Sequence, residues 1–68
     1  MATIYKKVGE KIRKLRKEQG LTQEKLAELT NTDPKSIIEI ELGKRNPTLK
    51  TISKVARALK VRSSELLK

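Results

Sequence analysis

The most constraining feature of the sequence is the stretch of residues 21–44, which carries two sets of helix signals separated by only a few residues. Thr22 can cap a first helix, and Asn31 suits a left-handed turn after it. Asp33 followed by Pro34 then starts a second helix, because the carboxylate accepts free backbone N–H groups and proline at the first helical position loses no needed donor. We therefore predict two short helices joined by a tight turn.

The segments on either side of this stretch also have helical spacing. The apolar positions with that spacing are Ile4, Val8, Ile12 and Leu15 before the stretch, and Leu49, Ile52, Val55, Ala56 and Leu59 after it. The predicted helices run over about residues 3–18 (ended by Gly20), 23–30 and 34–42 (stopped by Gly43). Thr48 can cap a fourth helix, and Val61, Leu66 and Leu67 indicate a short fifth helix. No segment alternates for long enough to be a strand. The sequence predicts an all-α, compact five-helix bundle that forms one domain over residues 1–68.

The charge of the chain is large and unevenly distributed. Seventeen basic and eight acidic residues give a net charge of +9, which favours polyanionic partners. Residues 1–22 carry seven basic and two acidic groups, residues 23–42 two and five, and residues 43–68 eight and one. The central motif is therefore acidic and lies between two basic arms.

Several function classes find no support in the residues. The chain has no cysteine and no histidine, so we expect no disulfide, no metal and no cofactor. Glu39 and Glu41 lie two apart on a helix and point to different faces, so we predict no enzyme. No apolar run approaches the roughly 20 residues of a membrane span, and the N-terminus has no secretion signal, so we expect a cytoplasmic protein.

Anionic lipid and RNA are two other possible partners for the basic surface, and the residues favour neither. A lysine-rich amphipathic first helix could lie on anionic lipid, but Ile12 and Leu15 are needed for the core. RNA recognition by base stacking requires aromatic side chains, and Tyr5 is the single aromatic residue.

The spacing of small and apolar residues within the central motif is that of a helix-turn-helix. Gln23 opens the first motif helix, Ala27 allows a close helix crossing, Asn31 makes the turn, and Ile37 and Ile40 anchor the second helix. Residues 8–67 resemble the lambda-repressor-like (Cro/Xre-type) DNA-binding family. The resemblance implies a prokaryotic or phage transcriptional regulator, a repressor among other possibilities, located at the nucleoid.

The resemblance also implies how such a regulator assembles. A homodimer would occupy a two-fold symmetric operator with one recognition helix per half-site. Dimerisation in relatives often uses the C-terminal helices, which makes Val61, Leu66 and Leu67 the candidate interface residues. Arg62 occupies a position where relatives commonly place a capping serine, so the start of the fifth helix is expected to be weak.

The resemblance assigns base-contacting roles to the first turns of helix 3. The matching positions are Pro34, Lys35, Ser36, Ile38 and Glu39. Lys35 can donate to guanine, Ile38 can pack on a thymine methyl, and Glu39 can accept from the cytosine amino group. The alternative for Lys35 and Glu39 is an exposed helix ion pair with no contact to DNA.

Phosphate contacts are expected on both sides of helix 3. Gln23 stands at a helix start, where its amide and free backbone N–H groups can bind a phosphate. The second group follows helix 3 and consists of Lys44, Arg45, Asn46 and Thr48. A solvated basic loop is the alternative for the second group.

The resemblance gives Arg16 and Glu41 a structural role. In relatives the matching residues form a partly buried ion pair that holds the recognition helix at its angle. Loss of one partner would leave an unpaired buried charge.

Some residues depart from the family pattern. Asp33 places a carboxylate close to the expected phosphates, and Pro34 replaces a long hydrogen-bonding side chain. Leu29, Ile38 and Leu42 are apolar where relatives are more often polar, and together they could mark a contact with protein. The alternative function is therefore a protein-interaction module that keeps the helix-turn-helix fold.

Overall fold

The structure is a computed structural model that describes residues 4–67. Its five helices are α1 (Ile4–Glu18), α2 (Gln23–Thr30), α3 (Pro34–Glu41), α4 (Leu49–Ala58) and α5 (Ser63–Leu67). No strand occurs among the described residues, so the predicted all-α architecture is confirmed. Within residues 4–67 no helix combines the length and apolar character needed to cross a bilayer.

The predicted caps form as local hydrogen bonds. Oγ1 of Thr22 accepts from the backbone N–H of Lys25 at 3.0 Å, and the carboxylate of Asp33 accepts from that of Lys35 at 3.2 Å. Thr48 caps α4 in the same way through the N–H of Thr51 at 3.1 Å. Each cap satisfies one backbone donor that the helix leaves free, which fixes where α2, α3 and α4 begin.

The turn between α2 and α3 is made by Asn31, as predicted. Its φ of 53° and ψ of 45° place it in the left-handed region. The backbone N–H groups of Asn31 and Thr32 donate hydrogen bonds to carbonyls of α2. Gly43, with φ of +74°, ends α3 after Leu42, which is the C-cap and not the last helical residue. Thr3, the predicted start of α1, lies outside the described residues.

One core joins the five helices. Its buried apolar residues are Val8, Ile12, Leu26, Ala27, Ile37, Ile40, Ile52, Val55, Ala56, Leu59 and Leu66. Around it α1 packs on α3 and α5, α2 on α3 and α4, and α4 on α5. Helix α3 is therefore held from two sides by α1 and α2, and its remaining face is open to solvent.

Two apolar residues take positions that the sequence pattern did not predict. Leu66, a candidate for the dimer interface, is 1% exposed and belongs to the core, so that assignment is wrong for the folded monomer. Helix α5 folds back on α1 and α4, and burial of a leucine side chain contributes about 1.5–3 kcal/mol. Leu49, which the helical pattern grouped with the core stripe of α4, is 78% exposed because it lies at the first position of the helix.

Candidate nucleic-acid interface

The first two turns of α3 present an open face to solvent. Ile37 and Ile40 are buried, which turns Pro34, Lys35 and Ile38 outward. Pro34 and Lys35 are exposed, and Ile38 is 39% exposed. The surface that would have to enter a DNA groove is thus not covered by the rest of residues 4–67.

Ser36 and Glu39 lie beside this face and are only partly exposed. Both contact Arg45, which follows α3 in the chain. Nη1 of Arg45 donates a hydrogen bond to Oγ of Ser36, and it lies 3.7 Å from Oε1 of Glu39. The sequence prediction assigned Arg45 to phosphate alone, and its contact with α3 was missed because no local pattern links residues nine apart across a loop.

A buried ion pair ties α1 to the end of α3. Nε of Arg16 lies 2.6 Å from Oε2 of Glu41, and Nη2 lies 3.1 Å from Oε1. Nη1 of Arg16 also donates to the carbonyl of Leu21 at 2.7 Å. Arg16 and Glu41 are 8% and 6% exposed, so the fork of the guanidinium is held in a site with little water.

Gln23 is joined to this ion pair. Its Nε2 donates to Oε1 of Glu41 at 3.1 Å, so the amide nitrogen points toward the pair in the unbound protein. The side-chain carbonyl can still accept, and the backbone N–H groups of Gln23 and Glu24, ahead of the one capped by Thr22, lack partners within the helix. Gln23, which the sequence predicts to bind the first phosphate, therefore stands at the start of α2 and also donates a hydrogen bond to Glu41.

The second predicted phosphate position lies in the loop between α3 and α4. Lys44, Arg45 and Asn46 are exposed there, and Thr48 is the N-cap of α4. A cavity of about 240 Å³ lies between this loop and α3. Its lining includes Ser36 from α3 and Arg45, Asn46 and Thr48 from the loop, so the structure brings these predicted residues to one place.

The three unusual apolar residues do not share a surface. Ile38 and Leu42, which is 58% exposed, line a groove with Glu10 and Arg13 of α1. Leu29 is 50% exposed and lines a different cleft, formed with Gln19, Lys54, Arg57 and Lys60 among others. The prediction that all three mark one patch is wrong, because Leu29 lies at the end of α2 that packs toward α4.

An apolar groove of about 250 Å³ was missed by sequence reasoning. It is lined by Ile4, Tyr5, Val8, Asn46, Pro47, Leu49, Ile52 and Leu67. Four of these are large side chains that remain exposed, namely Ile4, Tyr5, Leu49 and Leu67. They come from α1, α4 and α5, and no sequence signal places these helix ends side by side. Of the predicted interface residues only Leu67 lies in this groove, while Val61 packs partly buried against the core.

A comparison with protein families gives one match that covers most of the chain. The family model described as helix-turn-helix matches residues 12–66. The matched segment contains α2, α3 and α4, the last seven residues of α1 and most of α5.

Individual relatives agree with this match. The immunity repressor protein of Bacillus phage phi105 is 40% identical over 60 residues, which cover 88% of this chain and 42% of the repressor. An uncharacterized HTH-type transcriptional regulator of Sinorhizobium fredii, y4dJ, is 39% identical over 64 residues, covering 94% of this chain and 83% of the relative.

A solved structure shows the same fold. The restriction-modification controller protein C.AhdI from Aeromonas hydrophila superposes with a TM-score of 0.89 at 40% sequence identity. The superposition covers 91% of this chain and 94% of the controller protein.

Proposed function

Because the chain belongs to the helix-turn-helix family, we propose that it is a DNA-binding transcriptional regulator that places the first turns of α3 in the major groove of a double-stranded operator. The observation that carries the proposal is the open face of α3, with Pro34 and Lys35 exposed at its start. An α-helix fits the major groove and can bring such side chains against base edges.

Phosphate binding on both sides of α3 would set the depth and angle of that helix. On one side, the start of α2 at Gln23 offers backbone donors and the positive end of a helix dipole. On the other side, Asn46 and Thr48 line the cavity beside α3, and Lys44 is exposed in the same loop. Contacts of this kind position a protein on DNA without reading its sequence.

The buried ion pair supports this arrangement from within. Arg16 holds Glu41 at the end of α3, and Gln23 at the start of α2 shares the same carboxylate. The phosphate position at α2 and the base-reading helix α3 are thereby linked through one side chain. We infer that the pair keeps α2 and α3 in a fixed relative orientation for DNA binding.

We also propose that the protein acts as a homodimer through the apolar groove. Ile4, Tyr5, Leu49 and Leu67 expose large apolar surfaces that a second copy could cover. A two-fold dimer presents two α3 helices, and half-sites about one helical turn apart, some 34–36 Å, would fit them. Such a dimer would regulate by occupancy of a symmetric operator in the cytoplasm of a prokaryotic host.

Random-site selection with the purified protein tests the proposal directly. We expect one preferred palindrome, whose spacing reports the dimer. Binding should also depend steeply on salt, because neutralising six to ten phosphates lowers affinity by about 10³–10⁵ between 50 and 200 mM salt. A protein that selects no sequence and binds DNA equally at both salt concentrations would contradict the proposal.

A protein-interaction module is the second candidate function. Ile38 and Leu42 expose apolar surface on or beside the outward face of α3, where a base-reading helix is usually polar. An apolar protein contact would barely respond to salt, so the same titration separates the two functions. We assign no enzymatic activity and no cofactor to the chain, which we treat as one domain.

A further inference from the structure

Arg45 differs from its neighbour Lys44 in what its side chain contacts. Its guanidinium turns back to α3, donates to Oγ of Ser36 and lies 3.7 Å from Oε1 of Glu39. No ion pair with Lys44 is present among residues 4–67. Lys44 and Arg45 are therefore adjacent and exposed cations of one loop, but the side chain of Arg45 contacts α3, the helix proposed to read bases.

The spacing of Ser36 and Glu39 allows one guanidinium to serve both. Residues three apart on a helix are neighbours on its surface. Both contacts are made by Nη1, whose position and N–H directions are fixed by the planar guanidinium. A lysine ammonium is a compact charge on a flexible stem and does not impose the same geometry.

These contacts determine what each side chain can offer to a base. A serine hydroxyl that accepts a hydrogen bond from Arg45 has its own proton left to donate. Glu39 beside a cation is partly neutralised, which reduces its repulsion by the phosphates that line a groove. Ser36 then presents a donor and Glu39 an acceptor, and the cytosine amino group is the donor that suits a carboxylate.

We propose that Arg45 is a positioning residue for base recognition, which holds Ser36 and Glu39 in the orientation that reads DNA. Its effect on sequence preference is exerted through these two side chains and is distinct from the attraction to phosphate that any loop cation supplies. This inference rests on the proposed function, in which α3 reads bases.

Arg45→Ala and Lys44→Ala form a matched pair, because each removes one exposed cation from the same loop. Both variants should lose a similar factor in affinity for random DNA. In random-site selection, Lys44→Ala should keep the wild-type consensus, whereas Arg45→Ala should lose about tenfold in discrimination at the base positions read by Ser36 and Glu39. Thermal melting of both variants reports any loss of folding.

Arg45→Lys keeps the charge but lacks the planar guanidinium that fixes the directions of the N–H donors. It should retain the wild-type salt dependence and still broaden the consensus, which a role in phosphate attraction alone would not cause. In a double-mutant cycle, Glu39→Gln and Arg45→Ala should weaken preference at the same base position, and the double variant should lose little more than either single variant.

Three outcomes decide the inference. A consensus that changes with Arg45 and not with Lys44 supports it. A wild-type consensus in both Arg45→Ala and Arg45→Lys, with affinity lowered for all sequences alike, would overturn it while leaving the proposed function intact. A wild-type protein that selects no sequence would overturn the proposed function and this inference together.

Discussion

Gly9 of α1 lies directly against the backbone of Ile40 at the end of α3. A Cβ atom placed on Gly9 would collide with the carbonyl oxygen of Ile40 and lie 2.8 Å from that of Glu41. The absence of a side chain at this point lets the two helices approach at backbone distance. The angle of α3 relative to α1 therefore depends on the lack of a side chain at Gly9 as well as on the ion pair of Arg16 with Glu41.

Substitution of Gly9 by alanine is expected to destabilise the protein. Alanine favours a helix over glycine by about 1 kcal/mol, but the clash with Ile40 is with backbone and requires α1 or α3 to move. Such overpacking costs about 1–3 kcal/mol before that gain is counted. Urea denaturation should show a net loss of stability, whereas Glu10→Ala, at the exposed neighbouring position, should be nearly neutral.

The ion pair of Arg16 and Glu41 gives a prediction about buried charge. Arg16→Met leaves the Glu41 carboxylate buried with Gln23 as its remaining side-chain donor, so unfolding free energy should fall by about 3–5 kcal/mol. The double variant Arg16→Met/Glu41→Leu should recover much of this loss, because no charge is left buried. Equal stability of the single and double variants in urea denaturation would argue against this account.

Lys35 offers a test of base reading. It is exposed in the first turn of α3, and Lys35→Ala should cost about 1–3 kcal/mol at the preferred site while relaxing one base position. Lys44→Ala should weaken binding to all sequences alike. Titration against a preferred DNA site and its single-base variants measures both effects. An unchanged sequence preference in Lys35→Ala would show that Lys35 does not read a base.

Leu49 tests the proposed dimer. It is 78% exposed in the apolar groove, so Leu49→Glu should leave the fold intact and place a carboxylate in the interface. Sedimentation equilibrium should show a monomer for this variant and a dimer for the wild type. Leu29→Glu, a matched change at an exposed leucine in a separate cleft, should remain dimeric. If Leu49→Glu is as dimeric as the wild type, the groove is not the interface.

Lys60 carries backbone strain that glycine would relieve. Its φ of 60° is in the left-handed region, which costs a residue with a side chain about 1–2 kcal/mol. Lys60→Gly removes that cost, but the greater freedom of glycine in the unfolded chain costs about 0.4–1 kcal/mol. The net gain in unfolding free energy should therefore be about 0–1.6 kcal/mol. Thermal melting should show a rise of a few degrees, while Lys50→Gly, inside α4, should show a decrease.

The local elements of this protein follow from the sequence alone. The caps at Thr22, Asp33 and Thr48 and the turn at Asn31 are predictable because each depends on hydrogen bonds or dihedral angles within a few residues. The helical apolar pattern likewise determines most of the core. The base-contacting residues of α3 were proposed from the resemblance to the family, whose motif they match position by position.

The remaining features required the tertiary structure, because they join residues that are distant in the chain. The hydrogen bond from Gln23 to Glu41, the return of Arg45 to Ser36 and the burial of Leu66 all depend on how helices pack across loops. The exposed groove around Leu49 likewise exists only where the ends of three helices meet. Sequence periodicity identifies which face of a helix is apolar, but the neighbour that covers it, or leaves it open, is determined by the packing of the whole chain.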